Sequence, residues 1–178
     1  MSAVIIEDKV GLKQNSLLEH GNTQKQADAA EQCAKIKAGK QAQITEDFAI
    51  IARCESLITG AGEDDAIARC AAYCRAGADG IMIHSKAKTP GEIISFVKRF
   101  RREISSTKPI VAVPSTYAQA TEDELAAAGV NIVIYANHLL RASYPAMRRC
   151  AERILECSRA KEASEELCMP IKEILSLI

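Results

Sequence analysis

Side chains able to do chemistry recur at one kind of place in this sequence, just beyond a short apolar run. Ala3–Ile6 leads into Glu7-Asp8-Lys9, and Phe48–Ala52 into Arg53 with Glu55. Gly80–Ile83 leads into His84-Ser85-Lys86, Ile110–Val113 into Pro114-Ser115-Thr116-Tyr117, and Asn131–Tyr135 into Asn137-His138. Pooled on one rim, these carboxylate, guanidinium, imidazole and hydroxyl groups suit a small anionic substrate held together with a divalent cation. Each also has a plainer reading. Glu7, Asp8 and Lys9 read equally as solvated charges at a turn. Arg53 follows four apolar residues, where a guanidinium needs an anionic partner, and Glu55 can supply one as a structural ion pair. His84 reads as a satisfied core imidazole or as a substrate contact, Asn137 and His138 as caps for a following helix, and Ser115 and Thr116 as turn formers. No Ser/His/Asp order and no G-x-S-x-G elbow marks a nucleophile. Between Val10 and Lys25 runs a long polar stretch with Lys13, Asn15, Ser16, His20 and Gly21, of a length that suits a lid or an ordinary surface excursion.

The apolar runs alternate with Ala-rich amphipathic stretches, the βα signature of a parallel sheet. Each run is nearly continuous rather than alternating, as strands buried on both faces require. Thr89, Pro90 and Glu92 predict an N-cap, a first-turn proline and a capping-box glutamate ahead of Ile93, Phe96, Val97, Phe100 and Ile104 on one helical face. Thr121 and Glu124 predict a second capping box. Gly77 and Gly129 stand where two helices must stop before the next strand. Met147, Cys150, Ala151, Ile154 and Leu155 fall on one face of the last long helix, which is expected to bury it. A charged stretch from Arg159 to Glu166 and an apolar tail, Ile171, Ile174, Leu175, Leu177 and Ile178, follow. The expected division is a βα region over 1–158 and a tail over 159–178. Five βα units are too few for a closed eight-stranded barrel and sufficient for an open five-stranded sheet. No G-x-G-x-x-G or P-loop accompanies any strand, so the preferred fold class is α/β, a partial (β/α)8 TIM-type barrel.

With 23 basic and 23 acidic side chains in 178 residues, the chain has no net charge, which disfavours nucleic acid and anionic membranes as partners. No apolar run is long enough for a membrane span and no signal peptide stands at the start, which gives an intracellular, cytoplasmic expectation. Seven cysteines make an odd count in a chain of this size, and free thiols are the better reading. Cys70 and Cys74 sit one helical turn apart, as half a zinc site or as small buried side chains, and no second pair stands at zinc-like spacing.

Glu7-Asp8-Lys9 followed by Lys13-Gln14-Asn15-Ser16, then Ala52-Arg53-Cys54-Glu55, Ile83-His84-Ser85-Lys86, Val113-Pro114-Ser115-Thr116-Tyr117, Asn137-His138-Leu139-Leu140-Arg141-Ala142-Ser143 and Ile171-Lys172-Glu173-Ile174 occur in this order. The ordered set resembles the phosphoenolpyruvate mutase family of the isocitrate lyase superfamily across almost the whole chain. The resemblance implies a Mg²⁺-dependent interconversion of phosphoenolpyruvate and phosphonopyruvate. It implies that Glu7 belongs to the metal site through a bound water, and that Arg53 and His84 hold the substrate's anionic groups. Lys13 and Asn15 then lie in a gating loop over the substrate, with Ser16 beside them as a further substrate contact. It also implies a homo-oligomer formed through the C-terminal helix. The family's first three βα units, with their Asp-x-Asp metal ligands, have no counterpart here. The expectation is therefore a C-terminal part of a longer mutase that alone neither closes the barrel nor binds Mg²⁺ tightly. Phosphonopyruvate hydrolase and a non-catalytic half-barrel subunit are the alternatives.

Overall fold

A computed structural model of the chain describes residues 2–11 and 25–177. Five strands, β1 (Ala3–Glu7), β2 (Ala49–Cys54), β3 (Gly80–Ile83), β4 (Ile110–Ala112) and β5 (Ile132–Val133), form one parallel sheet in the order β1-β2-β3-β4-β5. Between them run α1 (Ala29–Gln41), α2 (Ser56–Thr59), α3 (Gly62–Arg75), α4 (Gly91–Glu103) and α5 (Glu122–Ala128). Strand order equals chain order with no reversal. A doubly wound sheet would reverse at its switch point, whereas a (β/α) barrel adds each strand beside the last.

The two faces of the sheet are packed differently. Ala52, Cys54, Ile81, Ile83, Ile110 and Ala112 face the helices, buried with Ile36, Tyr73, Phe96, Phe100 and Leu125. The alternate residues Ile51, Met82, Val111 and Val113 form a second buried cluster from strand residues alone, joined by Ala49 and Ile134. All helices that pack in the main core therefore lie on one side, the barrel arrangement expected from the sequence.

The glycine stops of α3 and α5 are as predicted: Gly77, one residue past the Ala76 C-cap of α3, and Gly129, the C-cap of α5, have φ of 108° and 112°, a region that L side chains rarely adopt. The capping box at Thr121 forms, with its hydroxyl oxygen accepting from the Glu124 amide at 3.2 Å and Glu124 Oε2 accepting from the Thr121 amide at 2.9 Å. The one at Thr89 does not. Helix α4 starts with Pro90 at the N-cap and no side-chain cap, and Glu92 instead accepts a hydrogen bond from the buried Ser85 hydroxyl. A buried hydroxyl has no water to turn to, so it takes the carboxylate that an exposed cap can do without.

Residues to Tyr135 make one compact unit, and those from Ala136 a second. The second holds α6 (His138–Cys157), α7 (Lys161–Glu166) and α8 (Ile171–Leu175). The charged stretch is thus helical in part, and Arg153 on α6 grips Glu166 of α7 through two hydrogen bonds of 2.8 and 3.1 Å. The expectation that α6 buries its apolar face is corrected: no residue of α6 is buried, and Met147 and Leu155 are more than half exposed. The periodicity is real, but within its own unit the returning segment reaches α6 at Cys150 and Arg153 without burying any of its residues. No helix among the described residues is long and apolar enough to cross a membrane.

Candidate active site at the strand ends

Strand register brings the predicted residues together. Glu7 pairs with Arg53 across β1 and β2, and Arg53 with Met82 across β2 and β3. Successive strand residues point to opposite faces. Arg53 therefore shares the face of Ile51, and His84 that of Met82, the face that carries the strand-only cluster. Lys9 and Glu55, two residues beyond Glu7 and Arg53, continue the same row.

The charges in that row are bound to one another. The Glu55 side chain has no solvent exposure and bridges two cations, Lys9 Nζ at 2.9 Å on Oε2 and Arg53 Nε on Oε1. Burial alone would raise its carboxyl pKa, but the Arg53 and Lys9 charges outweigh it and hold the group below the ordinary value. Arg53 Nε also lies 3.7 Å from Glu7 Oε2. The expected alternative of an Arg53–Glu55 ion pair is thus formed, and the guanidinium still stands at the strand end beside Glu7.

The reading of Glu7-Asp8-Lys9 as solvated charges is overturned. The Lys9 side chain is 8% exposed and Asp8 is fully buried. Asp8 accepts from the Tyr73 hydroxyl at 2.6 Å, from Gln26 Nε2 at 2.8 Å and from the Glu55 amide at 2.9 Å, with Arg69 at 3.9 Å. Burial pushes its carboxyl upward against the pull of those donors. Sequence reasoning missed this network, which also ties Ser56 to Asp65 at 2.6 Å and Gln26 to Ser56 at 3.0 Å. Its one legible signal was the spacing of Asp65, Arg69 and Tyr73, which places a polar ladder on one face of α3.

His84 is 5% exposed, and its Nδ1 has no hydrogen-bond partner among the described residues. Burial, and secondarily the Arg53 charge, lowers its pKa to about 4, so the imidazole is neutral at ordinary pH. Next to it, Ser85 is buried and tied to Glu92, and Thr116 Oγ1 donates to the Ser85 carbonyl at 2.9 Å, linking the loops after β3 and β4. Lys86 is exposed. Asn137 stands at the N-cap of α6 but makes no side-chain cap bond there. Lys13, Asn15 and Ser16 lie outside the described residues. The described residues on either side are joined by an antiparallel bridge between Lys9 and Gln26, with the Val10 amide donating to the Lys25 carbonyl at 3.0 Å.

The sequence model of the phosphoenolpyruvate phosphomutase family matches residues 1–155. The chain belongs to that family. Phosphoenolpyruvate phosphomutase of Streptomyces hygroscopicus is 39% identical to this family member over 176 residues, covering 99% of this chain and 54% of that protein. The crystal structure of the phosphomutase from Streptomyces platensis subsp. rosaceus superposes with a TM-score of 0.87 at 40% identity, over 98% of this chain and 58% of that one. Phosphonopyruvate hydrolase, solved in complex with oxalate and Mg²⁺, gives a TM-score of 0.81, also at 40% identity, over 99% of this chain and 58% of its own. The chain thus spans a little over half the length of the relatives it matches.

A Mg²⁺ site can be tested against the side chains present. Among the described residues no group of three or more His, Cys, Asp or Glu side chains is arranged to hold a metal ion. Asp8 and Glu55 are both committed, as described above. Glu7 is different: its carboxylate is 18% exposed at the strand end, and it fits a place in the water shell of the metal. Mg²⁺ takes one or two protein carboxylates and completes its shell with water and substrate oxygens. The described residues can supply Glu7 to that water shell and not a full cage.

Proposed function

We propose that this chain carries the substrate-anion half of a phosphoenolpyruvate mutase site, interconverting phosphoenolpyruvate and phosphonopyruvate when the rest of the barrel is present. The observation that carries the reading is the pairing, on one face of the strand ends, of Arg53 beside Glu7 with a buried neutral His84 whose Nδ1 is unpartnered. Phosphoryl transfer through a loose transition state asks a protein for positioning and charge stabilisation more than for a nucleophile. Arg53 offers planar fork donors to a carboxylate or phosphonate, and Glu55 fixes the direction of that fork. His84, being neutral, offers one N–H and one lone pair without adding charge.

Mg²⁺, held with Glu7 through a bound water, would polarise the substrate oxygens. By the family resemblance its ligands are an Asp-x-Asp pair, for which this sequence has no counterpart. Lys13 and Asn15 would close over the substrate and exclude water, which otherwise intercepts a metaphosphate-like species, with Ser16 as a further substrate contact. We read α6 as the contact of a homo-oligomer and the location as cytoplasmic. Hydrolysis of phosphonopyruvate is the second reading, favoured by the hydrolase that matches at the same 40% identity as the mutase structure.

The test is a chimera in which the N-terminal part of the Streptomyces hygroscopicus relative that this chain does not span precedes it, given phosphonopyruvate and Mg²⁺ and followed by phosphorus NMR. Phosphoenolpyruvate as product supports the mutase. Inorganic phosphate with pyruvate means the hydrolase, and a folded chimera with neither product means a non-catalytic subunit. In an active chimera Arg53→Ala is expected to lower kcat/KM by roughly a hundredfold or more with the fold intact.

A further inference from the structure

The second compact unit places two thiols together that the proposed chemistry does not use. Cys150 Sγ on α6 and Cys168 Sγ, between α7 and α8, are 3.7 Å apart. Their approach is the last rung of an ordered series. The chain turns after α6 and comes back along it, with Cys157 near Glu162, Arg153 hydrogen-bonded to Glu166 and Cys150 to Cys168. Each rung moves back along α6 as it moves forward along the returning segment, so the register of an antiparallel pair of segments, not a chance loop excursion, sets the two sulfurs face to face.

We propose that Cys150 and Cys168 form a thiol–disulfide site that fastens the end of the chain to α6, with a low-molecular-weight disulfide of the glutathione class as its oxidant. Cys168 is exposed and Cys150 partly so, whereas Cys54 and Cys70 are buried out of reach of such a reagent. Cys157 is partly exposed too, but lies at the far end of the series from Cys168. Closing the gap to a bonded S–S distance takes a movement that a single χ1 rotation of an exposed cysteine covers. Beyond Cys168 the residues Met169, Ile171, Ile174, Leu175 and Leu177 are largely exposed, so the bond would fix where an otherwise loosely held apolar tail begins.

The step balances. The Cys168 thiolate attacks one sulfur of the small disulfide, its S–S bond breaks, and one small thiolate leaves and takes up a proton. Cys150 then loses its proton and attacks Cys168 Sγ, expelling the second small thiol. Two cysteines are oxidised and one small disulfide is reduced to two thiols. The hydrogen bond to Cys168, and then burial, raises the Cys150 thiol above its ordinary value, so ring closure quickens as pH rises.

The test incubates the reduced 178-residue chain with oxidised glutathione, blocks remaining thiols with an alkylating reagent and maps peptides by mass spectrometry. The expected product is a cross-link between Cys150 and Cys168 within one chain, retained in Cys157→Ser and absent in Cys168→Ser. Amide exchange over 167–175 is expected to slow roughly tenfold on oxidation and to recover with reductant. Modification that stops at a glutathione adduct on Cys168, a cross-link between chains, or unchanged exchange in the cross-linked form would each overturn the proposal. If Cys168→Ser loses its circular dichroism signal, the map of the unsubstituted chain decides alone.

Discussion

At the level of single residues, the site is a row of charges held in place by one another and ending in a neutral histidine. Its acid response follows from His84. In the unfolded chain that imidazole titrates near 6.5, and in the fold near 4, because burial and then the Arg53 charge disfavour its cation. The folded state therefore has full stability above pH 6.5 and loses it progressively as pH falls toward 4. The total is about 3 kcal/mol, of which about 2 falls between pH 7 and pH 5. Glu55 adds to the loss only below its ordinary 4.5, since its folded pKa is lowered. Urea midpoints at pH 7 and pH 5 should thus differ clearly in the native sequence, and the difference should shrink by most of that amount in His84→Gln. An unchanged difference would mean that His84 titrates in the fold as it does in water, and a larger one that it is protonated in the fold.

At the level of elements, two capping boxes look alike in the sequence and only one forms. Thr121 makes both reciprocal bonds, while Thr89 makes none because Glu92 is taken by Ser85. Thr121→Ala should lower stability by about 1 kcal/mol, and Thr89→Ala should stay within about 0.5 kcal/mol of the parent. Equal losses in thermal or urea unfolding would contradict the structure. The same contrast shows what the sequence could and could not say. Strand positions, the glycine stops at Gly77 and Gly129 and the gathering of Glu7, Arg53 and His84 at one end follow from local pattern and period. That Asp8 and Glu55 are buried does not, because their burial is made by α3 and by the turn after β2, which meet them only in three dimensions. Strand β5 is shorter than its apolar run for a related reason. It has only the three-residue β4 to pair with, and the Ile134 amide makes one last bond to the Ala112 carbonyl before the chain leaves the ladder.

At the level of the whole molecule, the apolar surface that the sequence assigned to a core is left uncovered at α6. Tyr144 is 61%, Met147 58% and Leu155 78% exposed, on a helix with no buried residue. A contiguous apolar stripe of this kind carries an association tendency, since burying each such side chain contributes about 1.5–3 kcal/mol. If a second copy covers it, the chain should sediment as an oligomer whose dissociation depends on concentration. Met147→Glu with Leu155→Glu should then shift it to a monomer, because a carboxylate cannot be buried against an apolar partner without a large cost. Both positions are exposed in the single chain, so its own unfolding midpoint, measured at high dilution, should barely move. A well-folded monomer in the unsubstituted protein at micromolar concentration would remove the homo-oligomer from the reading and leave the stripe to a different partner. Loss of helix signal in the double variant at high dilution would show instead that the stripe packs within the chain.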